Sequence, residues 1–281
     1  NLADSYTTIQ SALVSSERIF ELLDQEEYME DLDRGIAMDH MEGNIEFKNV
    51  WFSYNNEDWI LKNISFNINK GQTAAFVGET GAGKTTIISL ISGFYRIQKG
   101  QILVDGININ DIKKRDLRRN IAVVLQDVFL FSGTIENNIT LNDSIEKAVL
   151  EKAIETSYLK EFVKGCPKGI YEPVMERGST FSAGQRQLLS FARAIAHNPS
   201  IFILDEATAN IDTQTEVLIQ KAIENVAKDR TTLIIAHRLS TIRNADIIIV
   251  LKHGEILEIG EHDMLMKKAG YYRDMIMEGE K

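Results

Sequence analysis

The chain has a single cysteine, Cys166, which excludes an intramolecular disulfide and fits a reducing compartment in which the thiol is buried and inert. Long apolar runs are also missing. The longest, such as Asp246-Ile247-Ile248-Ile249-Val250-Leu251, have strand length and contain or adjoin charges, so none is suited to span a membrane as a helix. Basic residues are the minority, 31 Lys and Arg against 41 Asp and Glu, and a formal charge of -10 argues against a general nucleic-acid binder. Any affinity for phosphate must therefore be local. There is no repeat of 20 to 50 residues, no low-complexity tract, and neither an initiator Met nor a signal-peptide pattern at Asn1. From that opening, a segment of a longer protein is expected.

What is present is a core-forming composition, 44% hydrophobic over 281 residues, and one stretch that names a ligand. Gly78-Glu79-Thr80-Gly81-Ala82-Gly83-Lys84-Thr85-Thr86 fits G-x-x-x-x-G-K-[ST]. Thr73 to Val77 reads as a buried strand entering it, and Thr85 to Ile91 as the helix leaving it. The glycines let successive backbone N–H groups turn inward around phosphate oxygens, and the helix N-terminus adds partial positive charge. Lys84 would reach the β and γ phosphates of a nucleoside triphosphate, and the Thr85 hydroxyl would ligate Mg²⁺. A glycine-rich turn with a surface lysine is the competing view, but it has no need of Lys-Thr at this spacing.

Residues 2 to 23 carry Leu2, Tyr6, Ile9, Leu13, Ile19, Phe20, Leu22 and Leu23 at roughly helical spacing, an amphipathic helix that wants a partner. An acidic stretch, Asp24 to Asp33, follows as a solvated linker. Residues 1–43 are thus set apart from a compact domain expected over 44–281. Ile45 to Lys48 and Leu61 to Ile68 read as antiparallel edge strands. Ile121 to Leu125, Ile201 to Leu204 and Thr232 to Ala236 are continuous apolar runs between helical segments, the mark of a parallel sheet buried on both faces. Residues 129–196 are mostly helical and predict an inserted helical subdomain.

Asp205 and Glu206 close the strand Ile201 to Leu204, at the edge where open α/β sheets bind ligands. Asp205 would hold Mg²⁺ through water, and Glu206 would orient and polarise the attacking water. Standing alone, the pair could equally cap a helix.

With these residues the chain resembles the nucleotide-binding domain of an ATP-binding cassette (ABC) transporter of the exporter type, over about residues 44 to 280. The fold implied is a P-loop NTPase of the α/β class, with a mixed, largely parallel sheet, an antiparallel β edge subdomain and a helical subdomain. Phe181-Ser182-Ala183-Gly184-Gln185 stands where the family has Leu-Ser-Gly-Gly-Gln, and Phe181 and Ala183 depart from that pattern. Gln126 resembles the Q-loop glutamine, His237 the switch histidine, Tyr54 the aromatic that stacks on adenine, and Ala207 to Asp212 the D-loop. Each has a plainer alternative: a solvent-facing Gln, a structural His, buried aromatics at Trp51 and Phe52, and a capping box made by Ser182 and Gln185.

The resemblance implies ATP and Mg²⁺ as ligands. Glu206, His237 and Gln126 would be catalytic, and Thr85, Gln126 and Asp205 would face the metal. Tyr54, the loop Gly78 to Thr86, and Ser182, Gly184 and Gln185 would hold nucleotide, the last three that of a second nucleotide-binding domain. A transmembrane domain upstream in the same chain would place this segment at the cytoplasmic face of the membrane. Phe129 to Ile139 and Glu176-Arg177-Gly178 resemble exporter segments facing that domain, although an aromatic cluster there could equally be core. The alternative is a soluble cassette acting on DNA or ribosomes. Against it, only 56 positions separate Gln126 from Ser182, too few for the long coiled coil of chromosome-associated members, and the chain holds one cassette.

Overall fold

The computed structural model describes residues 2–24, 32–205, 212–228, 230–236 and 239–279. It divides into two compact units, Asn1–Asp33 and Arg34–Lys281. The first is helix α1 (Leu2–Leu23), as the apolar spacing predicts, with Tyr6, Ile9, Leu13 and Phe20 exposed along it. Among the described residues no helix is long and apolar enough to cross a membrane.

In the second unit β1 (Ile45–Phe52), β2 (Leu61–Ile68) and β3 (Thr73–Val77) lead to helix α2 (Lys84–Ile91). Strands β4 (Lys99–Val104) and β5 (Ile107–Asn108) precede helix α3 (Lys114–Asn120) and β6 (Ile121–Val124). The helical stretch follows, with β7 (Gly133–Thr134), α4 (Ile135–Thr140), α5 (Lys147–Thr156), α6 (Lys160–Gly165), β8 (Pro173–Val174) and α7 (Ala183–Ala196). Then come β9 (Ile201–Asp205), α8 (Thr213–Ala227), β10 (Thr231–Ile235), α9 (Leu239–Arg243), β11 (Ile247–Lys252), β12 (Glu255–Gly260), α10 (His262–Lys267) and α11 (Tyr271–Gly279).

The main sheet has the order β12-β11-β3-β10-β9-β6 and is parallel except for β12, which pairs antiparallel with β11. Its parallel strands read as largely apolar runs because both faces are covered. The period of two then sorts their side chains. Ala75, Val77, Phe202, Leu204, Ile234, Ile248 and Val250 join the core shared with α7 and α8. Ala74, Phe76, Ile201, Ile203, Leu233, Ile235, Ile249 and Leu251 enter the opposite core with α2, β1 and β2.

The second sheet has the order β2-β1-β4-β5. Strands β1 and β2 pair antiparallel as expected, with Ile45 opposite Ile68, but β1 is interior, since β4 covers its other side. The sequence reading finds neither β4 nor β12. Lys99, Gly100 and Gln101 open β4 without alternation, and β12 carries Glu255 and Glu258.

Residues 34–43, set outside the compact domain in the sequence reading, are part of the second unit. Ile36 bridges Ile112, Met41 is fully buried, and the Glu42, Gly43 and Asn44 amides donate to the Asp105 carboxylate at 2.7, 3.1 and 2.8 Å. One buried methionine leaves no periodic trace. Cys166 is half-buried, its Sγ 3.4 Å from the Phe162 carbonyl oxygen, and burial pushes the thiol pKa up, as suits an inert thiol.

Candidate nucleotide-binding site

The loop from Gly78 to Gly83 joins the end of β3 to the start of α2. Gly83 is the N-cap of α2, with φ 103°, and no side chain caps the helix. The first-turn N–H groups are therefore left for an anion, and the helix dipole favours one. Gly78, at φ 145°, lies so near β11 that a Cβ there would collide with the Leu251 carbonyl oxygen. Gly81, at φ 83°, faces open space, with nothing within 4 Å of where a Cβ would stand.

Lys84 is buried at 7% exposure, and its Nζ donates to the carbonyl oxygens of Gly78 at 2.6 Å and Glu79 at 2.9 Å. Burial lowers its pKa, and the Asp205 carboxylate opposes that shift. An ammonium has three donors, so two can hold the loop while the third meets phosphate. Thr85 is exposed and Ala82 buried. Thr86 is buried, and its hydroxyl meets the Tyr54 hydroxyl at 3.1 Å.

A cleft of about 370 Å³ opens beside the loop. Thr80, Gly81 and Gly83 to Thr86 form one wall, and Gln126, Asp205 and Ile235, with Ile60, form the rest. The sheet explains the meeting. Val124 is paired with Leu204, and Asp205 with Ile235, so β6, β9 and β10 end together and deliver Gln126 and Asp205 to one edge. Thr85, Gln126 and Asp205, the three residues expected at Mg²⁺, thus share the cleft. No group of three or more His, Cys, Asp or Glu able to hold a metal occurs among the described residues.

A larger cleft, about 430 Å³, lies by α3 and α7 and holds Arg115, Arg118, Arg119 and Arg193. It has charge but no glycine loop. Its Arg193 is already bonded to the Asn138 and Phe129 carbonyl oxygens, at 2.7 and 3.2 Å.

Glycine loop, buried lysine and strand-end carboxylate together describe a triphosphate site, and residues 61–209 match the ABC transporter family. The chain belongs to that family. Over 283 residues it is 46% identical to the probable multidrug resistance ABC transporter ATP-binding/permease protein YheH of Bacillus subtilis (strain 168), covering 100% of this chain and 42% of that protein. Identity to the ATP-dependent lipid A-core flippase of Photobacterium profundum is 43% over 277 residues, covering 98% of this chain and 47% of that protein. A solved structure of a bacterial Atm1-family ABC exporter with ATP bound superimposes with a TM-score of 0.85 at 36% identity, covering 98% of this chain and 48% of that one. The chain spans about half the length of the curated relatives it matches.

In this ABC transporter domain the segment that resembles the family signature lies apart from the cleft wall, which includes none of Ser182, Gly184 or Gln185. Ser182 caps α7: its Oγ accepts from the Gln185 amide at 3.2 Å, and Gln185 Oε1 accepts from the Ser182 amide at 2.9 Å. Phe181 is buried against Phe162, with ring centroids 5.2 Å apart, so its departure from the family pattern is a core residue. Glu206 and His237 lie outside the described residues, as do Ala207 to Ile211. Asp212 caps α8, accepting from the Thr215 amide at 2.9 Å.

Phe129 and Phe131 are exposed rather than core, in edge contact at 5.0 Å, with Arg193 over the Phe131 ring at 5.9 Å. Sequence reasoning missed Ile60 and Ile235 in the cleft wall, and Tyr95, which packs on Tyr54. None carries a motif.

Proposed function

We propose that this chain is the ATP-hydrolysing half of an ABC exporter, and that two such domains close head to tail on ATP to drive an attached membrane domain. One observation carries this reading: Lys84, at the uncapped N-terminus of α2, faces Asp205 and Gln126 across a single cleft. Lys84 and the loop amides bind the triphosphate. Thr85, Asp205 and Gln126 would hold Mg²⁺, which when bound neutralises charge on the β and γ phosphates. Glu206, directly after Asp205, orients the attacking water and takes its proton, and His237, after β10, holds the γ-phosphate side of the site.

Ser182 and the start of α7 stand outside their own cleft, which supports their use on the nucleotide of a second domain. The exposed pair Phe129 and Phe131 supports docking of a membrane domain on this face. The names of the relatives, a multidrug transporter and a lipid A-core flippase, support export. On this reading the segment works at the cytoplasmic face of the membrane, and Ser15 to Asp24 would be the cytoplasmic end of the last membrane helix.

The test is Glu206→Gln with ATP and Mg²⁺, followed by light scattering. The variant is expected to bind ATP as the unsubstituted chain does, to accumulate as a dimer, and to turn over about 10² to 10⁴ times more slowly. Undiminished turnover, or a monomer at saturating ATP, would overturn the proposal.

A further inference from the structure

Glu79 is held from two directions. Its carbonyl oxygen accepts from Lys84 Nζ at 2.9 Å, and its Oε1 accepts from the Tyr271 hydroxyl at 2.7 Å. Tyr271 comes 192 positions later, as the first residue of α11. Lys252, at the end of β11, lies over the Tyr271 ring with Nζ 4.3 Å from the centroid. The preceding residue, Leu251, presses its carbonyl oxygen on Gly78. Adjacent residues of β11 thus reach adjacent residues of the phosphate loop, one directly and one through Tyr271.

The base of this strut is fixed. The Glu258 carboxylate, at 8% exposure, accepts from the Tyr272 amide at 2.8 Å. The Tyr272 side chain is fully buried, and its hydroxyl lies 2.7 Å from His262 Nδ1. Tyr271 therefore projects from an anchored helix start.

Chemistry gives the strut a task. Glu79 puts a carboxylate in a loop that has to receive phosphate, and an undirected carboxylate would compete for Lys84 and for the loop amides. The Tyr271 hydrogen bond holds the Glu79 carboxyl below its ordinary pKa, with Lys252 and His253 acting in the same direction. We infer that Tyr271 is a positioning residue of the nucleotide site: its hydroxyl, steadied by Lys252, draws the Glu79 side chain toward α11 and fixes the carbonyl that aims Lys84. Tyr271 is not part of the cleft wall. The inference rests on the ATP-binding reading above.

The experiment is a cycle in the full chain of Tyr271→Phe, which keeps the ring for Lys252, with Glu79→Ala. Two quantities are read: amide hydrogen exchange over residues 78–84 without nucleotide, and the dissociation constant for ATP with Mg²⁺. Tyr271→Phe is expected to speed exchange in the loop and weaken ATP binding by about threefold to tenfold, with kcat unchanged. On the Glu79→Ala background the same change should alter each quantity by less than about twofold. An equal loss on both backgrounds would place its effect in α11 itself, and no change in the loop would remove the strut; either overturns the inference. The exchange arm decides without ATP, whereas an unsubstituted chain that failed to bind ATP would sink the underlying reading instead.

Discussion

The hydroxyls of Tyr54 and Thr86 lie 3.1 Å apart, 32 positions from each other in the chain. Through them the antiparallel sheet is tied to α2 two residues beyond Lys84. The Tyr54 ring is met edge-on by Phe52 at 4.8 Å and Tyr95 at 5.0 Å, yet stays 51% exposed. Two neighbours and a tether fix its plane, and on the proposed reading its exposed half is the surface that would stack on a purine.

Tyr54→Phe keeps the ring and loses only the tether, so ATP affinity should fall by no more than about threefold. Tyr54→Ala removes the stacking surface and should cost about tenfold or more. Titration calorimetry separates the two. Equal losses would mean that the ring face does not contribute.

Gly78 and Gly81 belong to one loop but should fail differently. Gly78→Ala forces a Cβ into the Leu251 carbonyl oxygen, and is expected to destabilise the chain by at least about 2 kcal/mol in urea unfolding. Gly81→Ala meets nothing within 4 Å and pays only the left-handed backbone strain, about 1 kcal/mol. Its main effect should be on ATP affinity, because the new methyl stands where phosphate is read to lie. Matching stability losses would contradict this account of the loop.

Ser182 has one observed role, the cap of α7, and one proposed role, on a second domain's nucleotide, which substitution can part. Ser182→Ala removes the cap on α7, at about 1 kcal/mol of stability, and should also weaken ATP-dependent dimerisation. Ser182→Asp can still cap the helix but sets a negative charge toward the partner domain's nucleotide. Normal thermal stability with loss of the dimer is expected. A dimer as strong as the unsubstituted one would confine Ser182 to capping.

For Lys84→Ala, nucleotide affinity should drop at least about tenfold, since a charge-assisted bond to phosphate is lost. The far-ultraviolet spectrum should be unchanged. Unaltered ATP binding would remove Lys84 from the site.

Much of this was legible locally. Gly78 to Thr86 announces a phosphate loop because the turn, the helix start and the lysine lie within nine positions. Ile201 to Leu204 and Thr232 to Ile235 read as buried strands because covering both faces erases alternation. Ser182 and Gln185 form their capping box within one helical turn. The same nearness makes Asp205 and Glu206 readable as a strand-end pair.

Other features exist only in three dimensions. That β1 is interior was decided by β4, whose Lys99, Gly100 and Gln101 carry no strand signal. The second compact unit begins at Arg34, with Met41 in a pocket and three amides gathered by Asp105, neither of which has a period. Exposure separates Phe129 and Phe131 from Phe181, which sits in the core, although all three are equally apolar in the sequence. Tyr271 meets Glu79 only after the whole sheet has set β11 beside β3. Sequence by itself determined the chemistry that residues within a turn or a strand can share. The folded sheet decided which distant side chains meet, since their contact depends on strand register and on which face each residue is turned to.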